Sequence, residues 1–406
     1  MARRFIDELP ATKTLLLRAA APVLGTTSIP RRAARIAAVA LLLSGGSGCS
    51  SAPGILGAAT WTAGNSEGAC RPGIPPDARP VDTSIPTTVV GNGAPESCTY
   101  AKLESAVARG GIITFDCGAG PVTIPVAATL NIPIDRDTVI DGGRKVTLDG
   151  RNLVRIMSFD SPAFRANEHR LTLQHIALIN GKATPAVAIP VAPLPCSQGW
   201  NDGEGGAVYM QDGNLTVIDS VFTGNQAAPL GPDTGGGAIY VMASKHGAVI
   251  AGSTFSQNSA SNAGAVGALH ADLRIYDSLF SQNAAVGNGA NNADPAKCSV
   301  INNNQNEIGS GGNGGAIYSD GKSVNVLLCG DKIVGNRAGV KAYGGGLFFT
   351  SNNMQGTLSI IDTEMTGNTG GHWTVVSAGT ARDAGTAVGT NCKTLSIRDS
   401  TLQGLP

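Results

Sequence analysis

The chain has 406 residues and no formal net charge, enough for two ordinary domains or one long repeat array. Glycine, at 55 residues, is about twice as frequent as usual; charged residues (14%) and aromatics (4%) are scarce, and 42% hydrophobic content is too much for a disordered chain. No glycine-every-third-residue period exists, which excludes collagen. What is left is a body of small, turn-forming and β-prone residues.

Residues 1–48 read as an export signal. Arg31, Arg32 and Arg35 precede an apolar run over Ile36–Leu43, and small residues lead from Ser44 to Cys49. That run is too short to span a bilayer. Ser47-Gly48-Cys49 resembles a bacterial lipoprotein processing site, so Cys49 is the expected lipidation point and any membrane attachment would run through that lipid. Removing the signal leaves 22 basic against 27 acidic residues, a net charge of −5. This balance argues against a nucleic-acid partner, which requires a basic face. It also means that an acidic polysaccharide would need a bridging cation.

Residues 49–95 are rich in Pro, Gly, Ala, Thr and Ser, and read as an extended tether. In an exported protein the remaining cysteines point to disulfides, with Cys98 and Cys117, which bracket one short element, as the expected pair. Tyr100, Leu103 and Val107 form a helical stripe that Gly110-Gly111 terminates. From there to residue 406 short strand-like runs take over, including Ile112–Phe115, Val122–Ile124, Thr138–Ile140, Val146–Leu148 and Leu171–Leu173.

Beyond residue 205 a repeat can be counted. One half is Gly205-Gly206-Ala207-Val208, recurring at Gly236, Ala263, Gly314, Gly344 and Gly385. The other is an apolar residue three before an asparagine: Phe222/Asn225, Phe255/Asn258, Phe280/Asn283, Ile333/Asn336 and Met365/Asn368. A third strand lies between, as in Leu215–Ile218 and Leu273–Tyr276. A unit this small cannot close a core; stacking in parallel buries the apolar faces in like-on-like columns. Asparagine at a corner can adopt the left-handed conformation, and its amide can bond to the asparagines above and below. The expected fold for 96–406 is therefore all-β, a single-stranded right-handed parallel β-helix with the Tyr100–Arg109 helix capping its first coil. A doubtful earlier rung would place Asn180 in the ladder.

The alternating Gly-Gly-Ala-Ile and Phe-x-x-Asn motifs resemble the polymorphic outer membrane protein repeat of pectin-lyase-like β-helices. The resemblance covers about 205–404 and is specific for fold and weak for activity. Surface members often end in an outer-membrane barrel. Here the chain reaches Pro406 without one, and the expected anchor is Cys49.

Every insertion leaves between a repeat asparagine and the next glycine motif, so the loops share one wall. Long loops at 181–204 and 284–313 flank a short one at 259–262, a profile that predicts a groove for an extended chain. Candidate ligand-binding residues on those loops are Trp200, Asp294, Glu307, His372 and Trp373, where tryptophans would stack on sugar faces or pin their loops. Asp202 and Glu204 are candidate Ca²⁺ ligands, although an Asp-Gly turn explains Asp202 without a metal. Asn302–Asn304 read as a solvated loop, and His246 and His270 as surface residues.

Three functions follow, one of them a purely structural envelope protein. The first is an exported, surface-anchored β-helix that binds a polysaccharide, another cell-surface ligand or a partner surface through the loop wall. The alternative is a pectate-lyase-like, Ca²⁺-assisted polysaccharide lyase acting on acidic polysaccharide, with Arg382 as base beside Asp383. The signature motifs of pectate lyases and polygalacturonases are missing, and fold alone licenses no activity.

Overall fold

The computed structural model describes residues 61–186, 202–231, 234–287, 311–339, 342–370, 381–382 and 387–404. These wind into a right-handed parallel β-helix with three sheets. Within a coil, a strand such as Val208–Gln211 lies in sheet 1, Asn214–Ile218 in sheet 2 and Val221–Thr223 in sheet 3. The next coil repeats the order at Ile239–Met242, Ala248–Ala251 and Thr254–Ser256. Like stacks on like: Val208, Ile239, Val266, Ile317, Leu347 and Val388 share one register column of sheet 1. In sheet 3 the column is Phe222, Phe255, Phe280, Ile333, Met365 and Leu402. The phenylalanine rings stack at 4.8 Å with interplanar angles of 7° and 5°, fully buried. Strands at Leu130–Asn131 and Met157–Asp160, which carry no repeat motif, complete sheet 1 toward the N-terminus.

Beside this stack runs the asparagine ladder. Nδ2 of Asn225 donates to Asn258 Oδ1 (3.0 Å), Asn258 to Asn283 (2.9 Å), Asn283 to Asn336 (2.9 Å) and Asn336 to Asn368 (3.0 Å). The same Oδ1 atoms accept the backbone N–H of the preceding rung, and each amide's second hydrogen reaches a carbonyl such as Phe222 O or Phe255 O. The ladder asparagines are not left-handed, contrary to expectation. The residue before each one is: Gly224, Gln257, Gln282, Gly335 and Gly367 have φ between 56° and 67°. Asn180, at φ 52°, falls in this preceding column. Gly181 takes the ladder place below Asn225, donating its N–H to Asn225 Oδ1 at 2.8 Å. The earlier rung is therefore Leu178/Gly181, one residue along from the expected one.

A second ladder climbs the corner between sheets 2 and 3. Ser220 N–H donates to Ser253 Oγ (3.2 Å), Ser253 to Ser278 (3.1 Å), Ser278 to Asp331 Oδ1 (2.8 Å), Asp331 to Thr363 Oγ1 (3.3 Å) and Thr363 to Ser400 Oγ (3.0 Å). Each hydroxyl in turn donates to the carbonyl two residues earlier, as Ser253 does to Ala251. The glycine pair has two distinct roles. Gly236 has φ +68°, and a Cβ on Gly237 would lie 2.2 Å from Gly264 O in the coil above. At the third motif Ala263 occupies the left-handed site, φ 49°.

The stretch expected to be a tether is packed from its first described residue. Residues 61–71 climb the corner between sheets 2 and 3 across six coils. Trp61 Nε1 donates to Asp219 Oδ1 (3.0 Å), Gly64 N to Thr254 Oγ1 (2.9 Å) and Cys70 N to Asp277 Oδ1 (2.8 Å), and Arg71 pairs with Asp362 and Asp399. A Cys70–Cys329 disulfide locks the climb. The chain then turns back: Asp77 pairs with Arg274, and Thr83 Oγ1 donates to Asp141 Oδ2 (2.8 Å). The return ends as Thr88–Gly91, the first strand of sheet 2, paired with Ile113–Asp116. This strap shields Val249, Ala251 and Tyr276 on the outer face of sheet 2. Proline-rich composition looked unable to bury anything because the strap borrows its apolar partner from the solenoid.

The helix Tyr100–Arg109 is capped by Thr99 and ended by Gly110, φ 68°. It buries Leu103, Ala106 and Val107 into the main core. A Cys98–Cys117 disulfide fastens the entry of this helix to the strand after it.

Candidate functional site

The loops from 182, 226, 259, 284, 337 and 369 onward all depart between sheets 3 and 1, so they share a corner. Trp200, Asp294, Glu307, Asn302–Asn304, His372, Trp373 and Asp383 lie outside the described residues, as do Cys49 and the side chain of Arg382. The backbone of Arg382 is in Ala381–Arg382, a short antiparallel strand against Val388–Asn391 in sheet 1. Glu204 sits before Val208, five rungs from Val388, which at roughly 4.8 Å per rung is about 24 Å. The structure therefore does not bring Arg382 and the Asp202/Glu204 pair to one reacting carbon.

Asp202 and Glu204 also differ in environment. Asp202 Oδ2 accepts from Ala186 N at 2.8 Å, near the surface. Glu204 is wholly buried, and among the described residues neither carboxylate oxygen has a hydrogen-bond partner. The neighbouring charge is Arg155, half-buried, whose guanidinium donates to Glu204 O (2.7 Å) and Gly205 O (3.1 Å) and lies 4.9 Å from the Tyr209 ring centroid. Asp202 and Glu204 thus stand in different environments, and among the described residues no group of three or more His, Cys, Asp or Glu side chains that could hold a metal ion includes them. Burial pushes the Glu204 carboxyl well above the usual range despite Arg155, and does the same to Asp331 in the hydroxyl ladder.

These two acids give a pH prediction. Each is protonated more readily folded than unfolded, so its contribution to stability is complete below about pH 4 and is lost as pH rises through its folded value. Lowering the pH from each acid's raised folded value toward about pH 4 is expected to raise the unfolding free energy, by up to about 1.4 kcal/mol per unit of pH for each acid titrating, read from denaturant titrations. Glu204→Gln and Asp331→Asn should each flatten that slope. Further acid reverses the trend: hydrogen bonds from His175, Gln174, Gly143 and Thr83 outweigh burial at Asp141 and hold its carboxyl well below the usual value. Its stabilisation is lost as pH falls through that lowered value.

The feature that sequence reasoning missed follows each glycine motif. Strand alternation turns Val208 inward and the next residue outward, which places Tyr209, Tyr240, Gly267, Tyr318, Phe348 and Gly389 in one outer column of sheet 1. Tyr240 is buried with its ring over Gly267, where a Cβ would meet Cδ2 at 2.6 Å. Further along, Phe348 stacks between Tyr318 (5.3 Å, 24°) and Tyr343 (5.6 Å, 28°). Phe348 and Tyr343 keep part of their surface in solvent, and burial pushes the Tyr343 hydroxyl up to about 12. Beside the rings lie acceptors: the Tyr209 hydroxyl donates to Gln211 Oε1 (3.0 Å) and that of Tyr318 to Asp320 Oδ2 (2.9 Å). The signal was an aromatic directly after Gly-Gly-Ala-Val or Gly-Gly-Ala-Ile. His246 is paired with Glu168 (2.6 Å) and His270 contacts Phe164 edge-on, both on other parts of the coil.

One comparison bears on this coil. A Chlamydia polymorphic membrane protein repeat matches residues 219–242. The matched segment holds Phe222, Asn225 and the Gly236-Gly237-Ala238-Ile239 motif, one complete step from sheet 3 to the next strand of sheet 1. The repeat points, coarsely, to the cell-envelope surface. No curated protein and no solved structure matches the chain.

Proposed function

We propose that this chain is an exported, surface-displayed β-helix that binds an extended glycan or a partner surface along sheet 1 and its adjoining loop corner, without turning the ligand over. The observation that supports this reading is the aromatic stack on the outer side of sheet 1, where Phe348 and Tyr343 keep ring surface in solvent while Phe348 packs on the buried Tyr318, beside the corner where the long loops leave. These two partly exposed rings offer flat apolar faces to a ligand, while Tyr209, Tyr240, Tyr318 and Gln211 are buried and support the column from within. Rigid strands hold this geometry before any ligand arrives, which lowers the ordering cost of binding.

The test is retention of the purified chain on glycan arrays and immobilised polysaccharides, followed by titration calorimetry. Phe348→Ala and Tyr343→Ala are each expected to weaken binding roughly tenfold, the loss of about 1.4 kcal/mol that a stacked ring contributes. Unsaturated sugar product should not accumulate. Sustained product formation would replace this reading with the lyase.

A further inference from the structure

One place past the asparagine ladder, the corner between sheets 3 and 1 carries a column of residues: Lys182, Gln226, Ser259, Ala284, Arg337 and Thr369. In the coil below Lys182, the loop after strand Val146–Asp149 reads Gly150-Arg151-Asn152-Leu153-Val154-Arg155. Arg151 and Asn152 are both left-handed, at φ 54° and 57°, a conformation that is strained for an arginine. Bonds from Arg151 N to Asp149 Oδ1 (2.8 Å), Asn152 N to Asn180 O (2.7 Å) and Leu153 N to Gly150 O (2.9 Å) hold the turn. Its product is an apolar tip, with Leu153 68% exposed.

Cations flank that tip. Lys182, whose backbone N–H donates to Val154 O (2.8 Å), stands on the next rung. Lys182 and Arg151 are both exposed, and among the described residues neither side chain has an ion pair. The acids of this corner are committed or withdrawn. Asp149 accepts from Arg151 N and Asn180 Nδ2, Asp202 accepts from Ala186 N, and Glu204 is buried.

We infer that this corner of the N-terminal coils is a membrane-contact surface, which seats Leu153 among anionic lipid headgroups with Arg151 and Lys182 on their phosphates. An apolar side chain between cations suits that boundary, because its apolar surface leaves water while the cations meet headgroup charge. A hydrated polyanion would satisfy the cations and leave Leu153 in solvent. Chain connectivity agrees. Trp61 is bonded to Asp219 at the corner between sheets 2 and 3, where Asp219 also lies 3.8 Å from His175. His175 to Lys182 crosses sheet 3, so the two corners are about 20 to 25 Å apart. The chain from Cys49, the expected lipid site, to Trp61 reaches at most about 40 Å. A lipid at Cys49 and the Leu153 tip are therefore within reach of one bilayer surface. The inference does not rest on the glycan reading: Arg337, in the loop that leads to Tyr343, is four rungs up the column, about 19 Å away.

The experiment mixes the exported chain with phosphatidylcholine vesicles, with and without phosphatidylglycerol. In Leu153→Trp the added emission should shift to the blue and be quenched by brominated lipid when phosphatidylglycerol is present. Phe164→Trp, an exposed site at the corner between sheets 1 and 2, should show neither change. Half-maximal quenching at position 153 should need roughly twentyfold more vesicle once Arg151→Gln and Lys182→Gln are added, about fivefold for each cation. High salt should act in the same direction. Arg337→Gln, which removes an exposed cation beyond the contact, should change nothing. Equal quenching at 153 and 164, or an equal loss from Arg337→Gln, would reduce the contact to diffuse electrostatics and overturn the inference. Absence of vesicle contact overturns it as well; dextran sulfate binding that depends on Arg151 and Lys182 would then assign the corner to a soluble polyanion. None of these outcomes alters glycan retention through Phe348.

Discussion

Replacing Cys70 and Cys329 together by serine is expected to lower the unfolding free energy by about 5 kcal/mol and to broaden the transition. The bond joins residues 259 apart, and the chain-entropy model gives a loop of that length a stabilisation of about 5 to 6 kcal/mol. The noncovalent contacts of the strap cannot replace it. The Arg71–Asp362 and Lys332–Glu67 pairs each have a solvent-exposed partner, and such pairs contribute little. The broadening has a separate cause. A solenoid coil touches only its neighbours, so its cooperativity is inherently one-dimensional. The strap escapes this limit by tying the coils of Asp219, Thr254, Asp277, Asp362 and Asp399 to one segment. Without the disulfide the C-terminal coils should loosen before the Phe222–Phe280 stack. Calorimetry would show a midpoint lower by on the order of 10 °C, and limited digestion with a glutamate-specific protease would cut after Glu67, which is exposed and followed by glycine. An unchanged midpoint with a single sharp transition would show that the strap is incidental.

Asn283→Ala is expected to cost about 3 to 5 kcal/mol, far more than a typical single polar substitution. Asn283 is the middle rung of the ladder and is buried. Its Oδ1 accepts from Asn258 N (3.0 Å) and Asn258 Nδ2 (2.9 Å), while its Nδ2 donates to Asn336 Oδ1 (2.9 Å) and Phe255 O (3.0 Å). Truncation therefore orphans donors on the rung below and an acceptor beside the phenylalanine stack, each at about 1 to 3 kcal/mol before relaxation. Asn283→Asp should be comparably damaging. It retains one acceptor but turns a second carboxylate oxygen toward Asn336 Oδ1 and Phe255 O, which are themselves acceptors. The adjacent Gln282→Asn is the control. Its side chain is exposed, and asparagine tolerates the left-handed backbone at φ 56°, so a change within about 0.5 kcal/mol is expected. Equal denaturant midpoints for the three variants would mean that the ladder does not carry the stability assigned to it.

The hydroxyl ladder shows how close legibility came. Ser220, Ser253 and Ser278 each stand two residues before a phenylalanine of the stack, a spacing as regular as that of the asparagines. The pattern is obscured where Asp331 and Thr363 take the same place, because the column asks only for a side-chain oxygen and not for one residue type. The aromatic wall was similarly written after the glycine motifs, at Tyr209, Tyr240 and Tyr318. The loops drew attention away from it, since insertions stand out in a repeat while an outward strand residue does not. The fate of Glu204 was not written locally at all. Whether that carboxylate faces water or Arg155 depends on the coil below, 49 residues earlier in the chain.

What the amino-acid order determined by itself is whatever recurs from coil to coil: the winding, the parallel register, the phenylalanine column and the asparagine ladder. Each is a contact between equivalent positions of successive units, so counting the period is enough to locate it. Tertiary structure alone decided the features that occur once. These are the strap that folds a proline-rich segment over sheet 2, its bond from Cys70 to Cys329, and the burial that separates Glu204 from Asp202. Their energetics depend on which non-repeating segment meets which coil, and no period in the chain records that meeting.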